Sequence, residues 1–256
     1  MLLSFKLMRD KLSNTSKLLS LLLVALLTAC AEHGGATPDT AQLESLGIQA
    51  YHGKQAKALS ELRYWAEQGL PVAQREMAIY AQSQTAGYAE AAAWYAKAAK
   101  GGDAESAYAL GDAHYAGKLA LQKDPVSAWS WFSMAAKAGN DKAALMLSRM
   151  TKYGEGVSPD LALSTYWLQQ SSERGNAQAM FLLSNAYLYG EGVARNPELA
   201  RTWLEKSAQG DFPVAIQALA LAVEGGDLEL SKDPERARHL LKEATDERRM
   251  HWNTAQ

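Results

Sequence analysis

Apolar and polar positions alternate along this chain with a helical period, and they do so in paired blocks. In DPVSAWSWFSMAAKAG, Ala128, Trp131, Ala135 and Ala136 fall on one side of a 3.6-residue repeat. Asp124 stands where an N-cap belongs and Pro125 where a first helical turn tolerates proline. Gly139 follows, a residue that can end a helix in the left-handed conformation. The next block, NDKAALMLSRMTKY, places Ala143, Leu147 and Met150 on one face and runs up to Gly154. Two amphipathic helices are predicted, joined by a short turn.

The pair recurs. Trp131, Trp167 and Trp203 are spaced by 36 residues, and Trp94 precedes Trp131 by 37. Leu110, Leu147, Leu183 and Leu219 keep the same step within a residue, as do Asp124, Asp160, Asn196 and Asp233. Gly102, Gly139, Gly175 and Gly210 mark a recurring short turn. A second turn is written Gly-Glu-Gly-Val, with Gly154 and Gly156 in one copy and Gly190 and Gly192 in the next. No strand precedes these glycines, so they read as structural turns and not as a phosphate cradle. One helical pair cannot cover its own apolar sides, and stacking neighbours builds a continuous core. Trp94, Trp131, Trp167 and Trp203 are expected to fill the seams between successive pairs. The small residues Ala98, Ala135, Ser171 and Ser207 would let helices approach closely.

AAAWYAKAAKGGDAESAYALGDAHYAG, YWLQQSSERGNAQAMFLLSNAYLYGEGV and ARTWLEKSAQGDFPVAIQALA resemble the Sel1-like repeat, a relative of the tetratricopeptide repeat. The resemblance implies an all-α fold, a right-handed α–α superhelix, and a role in binding proteins. It covers about Ala56 to Asp246, with repeats near 56–87, 88–124, 125–160, 161–196 and 197–233 and a closing helix; the repeat domain is expected over 44–250, with a tail at 251–256. The unit at 197–233 reads as one residue short between Trp203 and Gly210.

The amino terminus departs from this pattern. Lys6, Arg9, Lys11 and Lys17 precede the apolar run LLSLLLVALLTAC, which is shorter than the ~20 residues of a membrane-spanning helix. Basic region and short core define a signal peptide at 1–29. Cys30 is the single cysteine, and LTAC resembles the lipobox of bacterial lipoproteins, which implies lipidation at Cys30 and anchoring by several acyl chains. Residues 30–43 would form a flexible tether. Ala31 occupies the position where, in that family, Asp favours retention in the inner membrane, so the periplasmic face of the outer membrane is the expected address.

Charge and chemistry narrow the functional classes. The whole chain carries a formal charge of −2. Removing residues 1–29 takes away four bases and one acid and leaves −5, which argues against nucleic acid as a partner. With its one thiol lipidated, the chain has neither a disulfide nor a cysteine metal site. Gly-x-Ser-x-Gly, His-Glu-x-x-His and Ser-x-x-Lys are absent, and His33, His52, His114, His239 and His251 form no local ligand pair. No catalytic residue, metal or cofactor is expected. What remains is a groove. Trp129 and Tyr166 are aromatics that the repeat pattern does not require, and Gln170 and Arg201 could add polar contacts, so these four are the expected protein-binding residues. The resulting expectation is a lipid-anchored envelope scaffold that binds an envelope protein or peptide through the concave repeat surface. A cell-wall enzyme and a glycan-binding module are the alternatives.

Overall fold

The computed structural model describes residues 36–254, and all regular structure among them is α-helical. The chain divides into two units, residues 1–42 and 43–256. The expected signal peptide, Cys30 and most of the expected tether lie outside the described residues. The tether's far end is helical. Helix α1, Thr40–Tyr51, starts inside the segment 30–43, where Gln42 N–H donates to Asp39 Oδ1 at 2.8 Å and Asp39 N–H donates to Gln42 Oε1 at 3.0 Å. Such a reciprocal capping box satisfies two amides that no helical carbonyl reaches.

The second unit continues as α2 (Ala56–Glu67), α3 (Pro71–Gln82), α4 (Tyr88–Lys100), α5 (Ala104–Ala116), α6 (Pro125–Lys137) and α7 (Asp141–Tyr153). It closes with α8 (Leu161–Glu173), α9 (Ala177–Tyr189), α10 (Pro197–Gln209), α11 (Pro213–Gly225) and α12 (Pro234–Thr254). Side-chain caps set the starts. Asp124, Asp160, Asn196 and Asp233 each accept the N–H three residues on, beginning α6, α8, α10 and α12. Asp103, Asn140 and Asn176 do the same for α5, α7 and α9.

Packing decides which helices form a hairpin. The most extensive contacts join α3 to α4, α5 to α6, α7 to α8, α9 to α10 and α11 to α12. The Gly-Glu-Gly-Val turn therefore lies inside a hairpin, and the short turn at Gly139 or Gly175 lies between hairpins. Repeats starting at 88, 125, 161 and 197 pair the helices the other way, because a period fixes the spacing of units and not their origin. The turns within the α5–α6, α7–α8 and α9–α10 hairpins are closed by the same bond: the capping residue's N–H returns to a carbonyl near the end of the preceding helix. Asp160 reaches Thr151 at 3.0 Å, Asn196 reaches Tyr187 at 2.8 Å and Asp124 reaches His114 at 2.8 Å. The α5–α6 turn, AGKLALQKD, holds one more residue within this closure and places Leu119 and Ala120 at φ of 53° and 57°.

The second glycine of each Gly-Glu-Gly-Val turn is fixed by a neighbour. A Cβ on Gly192 would stand 2.1 Å from the Leu161 carbonyl oxygen, and one on Gly156 would stand 2.5 Å from that of Pro125. Each turn thus rests on the first residue of the helix one hairpin back. At the short turns, Gly102, Gly139 and Gly175 adopt φ of 96°, 98° and 93°. Gly210, expected at the matching place, does not: its φ is −86°, and Asp211 takes the left-handed conformation at 56°. Trp203 to Asp211 is the same step as Trp167 to Gly175, so this unit has its full length.

The stacked hairpins form a right-handed α–α superhelix whose buried residues fall into successive clusters along the stack. Leu110, Leu147, Leu183 and Leu219 are buried. The tryptophans are only partly buried, and the side chain fully inside is the next one along: Tyr95, Phe132, Leu168 and Leu204. Trp94 touches two core clusters and so lies across a seam; Trp131 and Trp167 flank the central cluster, and Trp203 flanks that around Leu183. From Ala128, both Trp131 and Phe132 satisfy helical spacing, so periodicity alone does not choose between them. Phe132 enters because Gly111 leaves room for its ring: a Cβ there would come within 2.5 Å. Ala98, Ala135, Ser171 and Ser207 are wholly buried. Ser171 and Ser207 donate to the carbonyls of Asp141 (2.8 Å) and Ala177 (2.6 Å), so each hydroxyl ties the second helix of its hairpin to the start of the first without remaining unpaired.

Candidate protein-binding face

Helices α3, α5, α7, α9 and α11 begin equivalent halves of successive hairpins, and cavities open between them. The cavity between α5 and α3 is about 440 Å³ and is bordered by Ile79, Ala109 and Asp112. The one between α7 and α9 is about 620 Å³, and the one between α9 and α11 about 740 Å³. The last two share a wall made by Asn185 and Tyr189.

One helical stripe lines them. Met146, Arg149 and Tyr153 on α7 occupy the same register as Leu182, Asn185 and Tyr189 on α9. These positions are spaced three and four apart and face away from Leu147 and Leu183, which enter the core. Much of the stripe is uncovered: Tyr153 is 65% exposed, Tyr189 70%, Leu182 37% and Leu221 55%.

The framework behind this face is cross-linked between hairpins. Tyr115 donates its phenol to Glu155 at 2.6 Å, and one repeat on Lys152 pairs with Glu191 at 2.6 Å. Tyr115 and Lys152 share a register, as do Glu155 and Glu191, so the glutamate of Gly-Glu-Gly-Val clamps the turn to the preceding hairpin. Burial, and then this hydrogen bond, holds the Tyr115 phenol above its ordinary pKa. Arg149 lies over the Tyr115 ring at 5.5 Å and forms no ion pair among the described residues. Near the amino-terminal end, Arg75 binds Glu44 (2.5 Å), Asp103 (2.9 Å) and Glu76 (3.4 Å). Burial pushes the Glu76 carboxyl up against the opposing pull of Arg75, and burial likewise pushes Tyr95 up to about 12. Among the described residues, no three His, Cys, Asp or Glu side chains cluster in a way that could hold a metal ion.

Trp129, Tyr166, Gln170 and Arg201 lie on α6, α8 and α10 and line none of these three cavities. Trp129 packs partly buried against the core. Tyr166 is half exposed with its ring edge-on to Trp167, 5.1 Å between centroids. Gln170 accepts from Arg174 at 3.2 Å, and Arg201 reaches the Glu229 carbonyl at 3.4 Å. The stripe on α7 and α9 was open to sequence reading through a different signal. AQAMFLLSNAYLY is apolar on more sides than one buried face requires.

The Sel1 repeat matches residues 71–103, 104–140, 141–176, 177–212 and 213–247. These spans cover more than half of the chain and coincide with the hairpins that the packing defines. The chain belongs to the Sel1 repeat family. Solved structures agree. A protective antigen of uropathogenic Escherichia coli strains with an SLR fold superimposes with a TM-score of 0.71 at 27% identity, over 81% of this chain and 46% of the antigen. The chain thus spans under half of that protein's length. A Sel1 repeat protein from Oxalobacter formigenes gives a TM-score of 0.65 at 25% identity, over 80% of this chain and 85% of the other. No curated protein matches. Repeats of this family serve as scaffolds for protein–protein interaction.

Proposed function

We propose that the protein is a lipid-anchored scaffold of the bacterial cell envelope that binds a protein or peptide on the face built by α5, α7, α9 and α11. One observation carries the binding reading: Leu182, Tyr153, Tyr189 and Leu221 remain uncovered beside cavities, while Leu147, Leu183 and Leu219 on the same helices are buried in the core. Aromatic and aliphatic side chains at the rim of a pocket are the groups that anchor partners. Helix stacking explains the other recurring residues and leaves no reactive set, which favours a scaffold over a cell-wall enzyme or a glycan-binding module. The order of basic region, short apolar core and LTAC supports lipidation at Cys30, and Ala31 supports the outer membrane's periplasmic face. The related structure of an E. coli protective antigen is in keeping with an envelope address.

Photo-crosslinking in intact cells tests the binding reading. A photoreactive residue at Leu182 is expected to capture a discrete protein adduct, and one at Met134 on α6 is not. Glutamate at Leu182 should remove the adduct captured from Tyr189, whereas Tyr166→Ala should leave it. Adducts from Met134 alone, or loss only with Tyr166→Ala, would move the binding site to the α6–α8 side and reject the proposed face.

A further inference from the structure

We infer that the α7–α9 cavity receives an internal acidic residue of an extended peptide, its carboxylate at Arg149 and its apolar neighbours between Met146 and Leu182. This rests on the binding face proposed above and names the chemistry of its ligand. Charge along the face is uneven. The α7–α9 cavity is lined by Arg149 and Lys152 against one acid, Glu191, whereas the α9–α11 cavity has Arg195 against Asp227 and Glu229. Lys152 and Glu191 neutralise each other at 2.6 Å, which leaves Arg149, among the described residues, as the lining charge of the α7–α9 cavity without an ion-pair partner. Its guanidinium is exposed and held over the Tyr115 ring, which orients it without occupying its hydrogen-bond donors. An arginine so placed favours a carboxylate, which it can bind with two parallel hydrogen bonds.

Asn185 supplies a second element. It occupies Arg149's register one hairpin on, half buried in the wall common to both cavities, and its amide bonds no protein group among the described residues. A primary amide offers both a donor and an acceptor to a passing peptide unit. Because the groove continues past Asn185 into the next cavity, the ligand runs on instead of ending there, and the carboxylate belongs to a side chain and not to a chain terminus. Neighbouring helices stand about 10 Å apart. An extended chain covers that in roughly three residues, so apolar residues flanking the acid reach Met146 on one side and Leu182 on the other.

The probe is a randomised peptide library displayed through its carboxyl ends, so that no peptide has a free α-carboxylate, selected on the full-length protein. Enrichment of Asp or Glu between apolar residues is expected. In amide-capped synthetic copies, Glu→Gln should weaken binding about three- to tenfold. Arg149→Glu, with its helicity checked by circular dichroism, should invert the preference to Lys or Arg. Selected peptides that Leu182→Glu abolishes but that show no acidic preference, or a preference that Arg149→Glu leaves unchanged, would overturn the inference and leave the binding face standing. Peptides indifferent to Leu182→Glu, or no enrichment at all, would overturn both.

Discussion

Two residues, Gly192 and Asp211, show how backbone conformation and close packing act separately in this fold. Gly192 combines φ of 73° with contact against the Leu161 carbonyl, while Gly175 has φ of 93° and open space where a Cβ would sit. Gly175→Ala should therefore cost only the left-handed penalty, about 1–2 kcal/mol. Gly192→Ala must also displace a helix start and should cost at least about 2 kcal/mol. Urea denaturation of the two variants side by side measures the difference. Asp211 bears the same conformation with a side chain attached. Asp211→Gly should stabilise the protein by roughly 0.5–1 kcal/mol, seen as a higher urea midpoint at unchanged slope. Asp211 also shows a limit of sequence reading. A glycine next door at Gly210 drew the pattern one residue early, because the turn needs a backbone angle and the sequence shows only the residue that most often supplies it.

Among the helices, the period was legible and the pairing was not. Equal spacing of Trp131, Trp167 and Trp203 specifies a stack whichever helix is counted first. Only packing shows that α7 turns back onto α8 through Gly-Glu-Gly-Val. With the tryptophan helix taken as the first of each pair, Trp129 and Tyr166 fall on the expected groove; with the hairpins that the packing defines, the cavities lie along α3, α5, α7 and α9. The core positions Leu110 and Leu147 were legible since the same leucine recurs in four units, at Leu110, Leu147, Leu183 and Leu219. Tyr153 and Tyr189 were obscure since they recur in only two, a variation that function and drift both produce.

The contact of α3 with α1 supplies an element-scale prediction. Glu76 on α3 is buried against Gly47 on α1, where an added Cβ would stand 2.2 Å from its carboxylate. Burial raises its pKa, Glu44 and Asp103 add to the rise, and Arg75 opposes it. A raised carboxyl pKa means that Glu76's contribution is fully present below the ordinary value near 4.3 and is lost as pH rises through the folded-state value. Glu76→Gln should thus gain stability relative to the natural chain as pH rises from about 4 to 8, while Arg75 keeps Glu44 and Asp103. Chemical denaturation across that range checks the sign; a variant that loses ground with rising pH would show that the Arg75 pair outweighs burial.

For the whole molecule, each hairpin touches mainly the ones before and after it, and stability is close to a sum over neighbours. A defect in the middle should therefore stay local. Phe132→Ala empties a fully buried site between α5 and α6 and should cost about 3–5 kcal/mol. Hydrogen exchange is expected to speed up across α4–α7 while the amides of α9–α11 keep their protection; uniform loss along the chain would instead mark one cooperative unit. The proposed anchor is a separate property of the opposite end of the sequence. Cys30→Ser should abolish lipid incorporation and shift the protein from the membrane fraction to the soluble one without altering its helical spectrum.

Gly156 and Gly192 each press on the opening residue of a helix one hairpin back, and this dictates how such a chain can be lengthened. A block excised at Gly-Glu-Gly-Val would split a closely packed partnership and carry away a turn shaped for a surface left behind. A block cut at the short turns, from Asp141 to Asn176 for instance, keeps its partnership whole and brings a glycine already fitted to whatever precedes it. Duplication in that frame should add a further stretch of groove with no new joint to be invented.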